Sequence, residues 1–250
     1  MTITIELCLT MWLLAAGAPS TRTQPASATW TARATEHFDI YYQPAQSARV
    51  DAIAREAERA YARLSHLLRY DLAAKMDVLL LATDRDRPSD AAQAYALVRA
   101  SGASDRDHLV LSIESFEKQG AALLAHELTH QFMFELFPDG PGAAPWIAEG
   151  LPDHHSGSWD SAEIAKLRDA VASGRIPEVA ELTAADRHWG HAVFEYVATE
   201  YGARGVRAYL GALRDSAATM RDPIRVAFDT TPADFNAAFR GFARARFGDR

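Results

Sequence analysis

Cysteine is almost absent from this 250-residue sequence: Cys8 is the only one, so no disulfide framework can staple the fold. There is no run of basic residues either, and the net charge is -7, which argues against nucleic acid and anionic membrane surfaces as partners. The apolar run at 7–18 is too short to span a bilayer. No internal repeat and no low-complexity tract interrupts the chain. What is present is a globular composition, 48% hydrophobic, enough to build the core of one large domain or of two small lobes.

The run at 7–18, followed by Ala26-Ser27-Ala28, reads as a secretory signal peptide, although no Lys or Arg precedes it and Glu6 borders it. An uncleaved start or a misassigned start codon is the alternative. Cleavage after Ala28 leaves a single domain over 29–250, expected in the periplasm or outside the cell and not inserted in a membrane. It removes Glu6 and Arg22, one charge of each sign, so the net charge stays at -7. It also removes Cys8, the one thiol that could block a metal.

The chemistry concentrates in His126-Glu127-Leu128-Thr129-His130. The surrounding stretch, 121–137, is rich in Ala and Leu and free of proline until Pro138, which predicts a helix. Residues i and i+4 of a helix lie one above the other, so His126 and His130 can present two imidazole nitrogens to one ion. Glu127 sits about 100° round the helix from His126, which sets its carboxylate beside the ion rather than on it. Two histidines can share a helix by accident, so H-E-x-x-H needs a third ligand before it counts as a catalytic metal site. Glu149 offers one, with eighteen residues between it and His130. Asp153 follows one helical turn later, placed to accept the outer N–H of a ligating histidine. Pro152 removes a helical hydrogen bond between the two and puts that role of Asp153 in question. His154 and His155 read as partly solvated, and His66, on an earlier helix, as a surface or packing residue.

His126-Glu127-Leu128-Thr129-His130 followed by Pro145-Trp146-Ile147-Ala148-Glu149-Gly150-Leu151 resembles the gluzincin zinc metallopeptidases, most closely the bacterial peptidase MA-like domains. The resemblance is strongest at 121–153 and extends weakly over 36–247. It implies a zincin-like fold, one Zn2+ held by His126, His130 and Glu149, Glu127 as general base, and a peptide or protein as substrate. It also implies that strand 108–114 runs antiparallel along the cleft, where a peptide can add to its edge. The chain lacks the G-x-M-E-N loop of the aminopeptidase gluzincins, so recognition of a free N-terminus is not indicated.

The remaining elements follow from periodicity. Strands are predicted at 36–43, 75–83 and 108–114, and helices at 45–70, 91–100, 116–137, from Pro145 or Trp146 onward, and at 160–173, the last opened by an Asp160–Glu163 capping box. Helices at 184–201 (ended by Gly202), 203–215, 223–228 and 232–247 (capped by Thr231) complete the chain. Phe235, Phe239 and Phe242 fall at helical spacing and read as core.

The fold class expected is α+β: a small N-terminal lobe with a mixed sheet and helices, a helical C-terminal lobe, and the site between them. The activity expected is zinc-dependent hydrolysis of peptide bonds, with Glu127 moving the proton from water to the leaving amine. An oxyanion donor is also needed, and His188, His191 and Tyr196 are the candidates. His191 is chosen because it lies deeper in its helix, whereas Tyr196 shares a packing face with Trp189, Val193 and Val197. Two rivals are a pseudo-peptidase that binds a cell-envelope partner without cleaving it and a helical protein with an accidental motif. The intact set His126, Glu127, His130 and Glu149 argues against the first, and metal analysis separates the second.

Overall fold

The computed structural model describes residues 30–88, 108–140 and 144–248, together with Gln93 and Leu97. The expected signal peptide at 1–28 and most of the expected helix at 91–100 lie outside the described residues. The fold is α+β, a small four-stranded sheet with helices making up most of the rest.

The sheet has the order β1 (Thr31–Ala34), β2 (Phe38–Tyr42), β3 (Met76–Leu81), β4 (His108–Ser112). β1 pairs antiparallel with β2, while β2–β3 and β3–β4 are parallel, so the sheet is mixed. The parallel β2–β3 pair is joined through α1 (Ser47–Leu68), as a parallel connection requires. β2 alternates, with Phe38 and Ile40 buried. All six residues of β3 are buried, as suits an inner strand covered on both faces. β1 was not anticipated: Thr-Ala-Arg-Ala is exposed throughout and carries no apolar alternation, so its pairing to β2 is what makes it a strand. β4 runs parallel to its neighbour β3, not antiparallel as the resemblance implied for a strand along the cleft.

Chain 116–137 is not one helix but parts of two, α2 (Ile113–Gln119) and α3 (Ala121–Leu136). Gly120 breaks them at φ 55° and ψ -127°, a conformation closed to side-chain-bearing residues. Ser112, at the end of β4, caps α2 by accepting from the Ser115 N–H. α4 (Ile147–Ser156) and α5 (Ser161–Ala172) follow, then α6 (Arg187–Thr219), α7 (Pro223–Phe228) and α8 (Pro232–Phe247). α6 begins after a 3-10 turn at Ala184–Asp186 and is broken at Gly202 (φ 64°), where the sequence places a stop, but helix resumes at once and reaches 219. Asp160 caps α5 as expected, yet Glu163 does not complete the box: its carboxylate lies 3.3 Å from Arg187 instead.

One cluster of buried apolar side chains runs from the sheet and α1 through α3 to α6 and α8. Phe235 and Phe239 are inside it, with Phe242 packed against it, and Trp189, Val193, Tyr196 and Val197 form a buried face of α6. At about 1.5–3 kcal/mol per buried large apolar side chain, this cluster supplies the main force holding α3, α4 and α6 together. α4 and α6 approach closely: a Cβ on Gly150 would lie 2.7 Å from Gly190 Cα, and one on Gly190 would lie 2.8 Å from Trp146 O. Among the described residues no helix is long and apolar enough to cross a membrane.

Candidate metal centre

α3 is apolar on nearly every side, and its buried residues include His126 and His130. Helical spacing brings their Nε2 atoms to 3.2 Å. α4 packs against α3 and delivers Glu149, whose Oε2 is 3.5 Å from His126 Nε2 and whose Oε1 is 3.8 Å from His130 Nε2. The three residues are only 6%, 4% and 7% exposed, and their donor atoms all lie within 4.8 Å of one another. Ligands at ~2.0–2.1 Å from a tetrahedral ion stand about 3.3 Å apart, so these separations suit one ion at their centre. Among the described residues Glu149 Oε2 is buried with no hydrogen bond, a costly state for a carboxylate oxygen that the Arg187 guanidinium, 3.6 Å away, offsets only in part. These residues therefore fit a metal ion.

The electrostatics agree. Burial drives both imidazoles toward neutrality, but the facing carboxylates of Asp153 and Glu149 overcome this at His126 and hold its pKa well above the usual range. His130 goes down, through burial and then the charge on His126. The surroundings thus favour one positive charge in the group, on the His126 side, and a neutral ring at His130. Asp153 Oδ1 lies 3.2 Å from His126 Nδ1, which turns His126 Nε2 toward Glu149 and His130. α4 carries through Pro152, so the expected role of Asp153 survives the missing helical hydrogen bond. Glu127 keeps part of its surface open beside the group. Burial raises its carboxyl pKa, Glu149 adds to this, and His126 and Arg87 oppose it. A raised carboxylate is the better proton acceptor.

Several expected placements need correction. His155 is not solvated: it is 4% exposed, and burial holds its pKa well below 6.5. The Thr129 hydroxyl donates to Ala125 O at 2.7 Å, so the His155 ring, 3.2 Å away, donates through Nδ1 to Thr129 Oγ1. His154 keeps partial exposure, as expected, but its pKa is pushed down to about 4, through burial and then the charge of Arg63. His191, expected across the cleft as oxyanion donor, is 3% exposed and stacked on Trp159 at 3.5 Å, with His154 as its other ring neighbour. Among the described residues none of its ring contacts is with a proposed ligand, and its Nδ1 has no hydrogen-bond partner. His188 is half-buried near Trp189, and Tyr196 lies in the core against Phe235, Phe239 and Phe242. His66 is exposed, as expected.

The residue of α6 that does reach the centre is Arg187, one turn before His191. Its Nε and Nη2 donate to Asp153 Oδ2 and Oδ1 at 2.8 and 2.5 Å, and its Nη1 is 3.6 Å from Glu149 Oε2. In the sequence it is one arginine among many; its position at the start of α6, on the face shared with His191, was the only signal.

No family model, no curated protein and no solved structure matches this chain.

Proposed function

We propose that the chain is a zinc-dependent peptidase of the gluzincin type, cleaving peptide or protein substrates after export from the cytoplasm. The observation that carries this reading is the buried His126–His130–Glu149 group, with Glu127 close enough to feel the charges of His126 and Glu149. Zinc suits two imidazoles and one carboxylate, leaves room for a further ligand, and supplies a Lewis acid that polarises a carbonyl and acidifies water.

The chain's own residues do the rest. Asp153 fixes the ring of His126 and its tautomer, so that Nδ1 is the donor and Nε2 faces the ion. Glu127 accepts the proton of the attacking water and returns it to the leaving amine, a task helped by its raised pKa. The dense apolar packing of α3 and α4 keeps bulk water from the ligand side of the centre and strengthens each electrostatic contact there.

The test is metal analysis of untagged protein followed by cleavage of an unbiased peptide library, with Glu127→Gln as control. One zinc per chain and a Glu127→Gln variant that keeps zinc but loses turnover by orders of magnitude are expected. Stoichiometric zinc with no cleavage of any peptide would point to a binding domain instead, and absence of metal would reduce the motif to an accident.

A further inference from the structure

Arg187 sits among three carboxylates from two helices: Asp153 and Glu149 on α4 and Glu163 on α5. Its contact with Asp153 is a fork, two parallel N–H···O bonds at 2.8 and 2.5 Å, the geometry that fixes direction as well as charge. The same Asp153 Oδ1 faces His126 Nδ1. A continuous line of contacts therefore runs from Glu163 through Arg187 and Asp153 to His126. Asp153 needs this external hold. It follows Pro152 in a ten-residue helix, and Pro152 removes the N–H that would donate to Ala148 O. The backbone of α4 is thus least self-supporting at the residue that orients His126.

The placement of Arg187 is rigid for a separate reason. α6 meets α4 backbone to backbone at Gly190 and Gly150, three residues beyond Arg187, with no side chain between them to absorb a shift. Resting on the reading of this group as a metal centre, we propose that Arg187 is a positioning residue of that centre. It clamps Asp153, and through Asp153 it holds His126 turned to the ion. An arginine that acted through charge alone would do the opposite, since a cation 3.6 Å from a ligand oxygen repels a metal ion. The two roles predict opposite signs when the charge is removed.

The experiment measures zinc affinity of the full chain by competition with a chromophoric chelator, and the visible spectrum of the Co2+-substituted protein, with far-UV circular dichroism as a check on folding. Arg187→Gln is expected to weaken zinc binding about 10–100-fold, the usual cost of losing an outer partner of a ligand. It should also alter the Co2+ ligand-field bands. Arg187→Lys keeps the charge without the fork and should recover only part of the loss. Asp153→Asn should weaken binding in the same range, and adding Arg187→Gln to it should cost little more, because both act through one contact. If Arg187→Gln does not fold, Arg187→Lys carries the test by the same affinity measurement. Wild-type affinity and spectrum in the folded Arg187 variants, tighter binding in Arg187→Gln, or losses that multiply in the double variant would overturn the proposal. A wild-type chain that takes up no zinc would overturn the metal centre itself, and this inference with it.

Discussion

Replacing Gly190 by alanine tests whether α4 and α6 touch where the structure says they do. In an ordinary helix, Gly→Ala stabilises by about 1 kcal/mol. At Gly190 the new Cβ would meet Trp146 O at 2.8 Å, Gly150 Cα at 3.1 Å and the indole of the buried Trp146 at 3.1 Å. Two of these are backbone atoms and the third belongs to a fully packed ring, so nothing flexible can yield. Overpacking of this kind costs about 1–3 kcal/mol. The helix gain offsets part of that, leaving Gly190→Ala destabilised by up to ~2 kcal/mol. Among the described residues nothing lies within 4 Å of a Cβ added at Gly241, in α8, which supplies the control. Gly241→Ala should gain up to about 1 kcal/mol, which for a chain of this size is roughly 2–4 °C in Tm. The difference between the two variants isolates the clash. Urea unfolding monitored by circular dichroism, with Tm alongside, is the assay. Because Arg187 lies one turn from Gly190, zinc affinity should also fall in Gly190→Ala and stay constant in Gly241→Ala. Equal stabilisation of both variants, with unchanged zinc affinity, would refute the close approach of the two helices.

Other outcomes follow from the same structure. His126→Ala and Glu149→Ala should lose bound metal on dialysis against a weak chelator, and retention of stoichiometric zinc by both would mean the ligand set is wrong. His191→Ala should lower Tm, since it empties a site stacked against Trp159, while zinc content and turnover per folded molecule stay near wild type; a 10²-fold fall in kcat with normal folding would instead restore His191 as the oxyanion donor. Acid should weaken the join between β3 and α2. Burial raises the pKa of Asp84, but hydrogen bonds from Ser112 and Ser115 and the charges of Arg87 and Lys118 outweigh it, so its folded pKa lies below 3.8. A depressed carboxylate stabilises above its unfolded pKa and loses that share as pH falls through the folded value. Asp84→Asn should therefore be less stable than wild type at pH 6, and the gap should narrow below about pH 3.8 in urea titrations. A gap independent of pH would remove the carboxylate from the account.

The sequence by itself determined what depends on a few consecutive residues. The i, i+4 spacing of His126 and His130 sets both on one helix face whatever surrounds them, and Glu127 lies beside that face for the same reason. Thr231 caps α8 and Gly202 interrupts α6 through local backbone and hydrogen-bond preferences that need no partner. The aromatic spacing of Phe235 and Phe239 marked a core face because apolar surface leaves water wherever it finds cover. Tertiary structure decided the rest. Thr31–Ala34 becomes a strand only through its pairing with β2, since its own side chains stay in solvent. Gly120 splits a stretch whose composition reads as one helix, because α2 must leave β4 in one direction and α3 must enter the core in another. His155 and His191 are buried by helices that pack over them, and no feature of their neighbours in sequence encodes that. The clearest case is Arg187. Its bond to Asp153 spans 34 positions, beside the point where two glycines, at 150 and 190, let α4 and α6 meet backbone to backbone. Local geometry could place the candidate ligands on their helices, but which cation stands behind them was settled by how those helices cross.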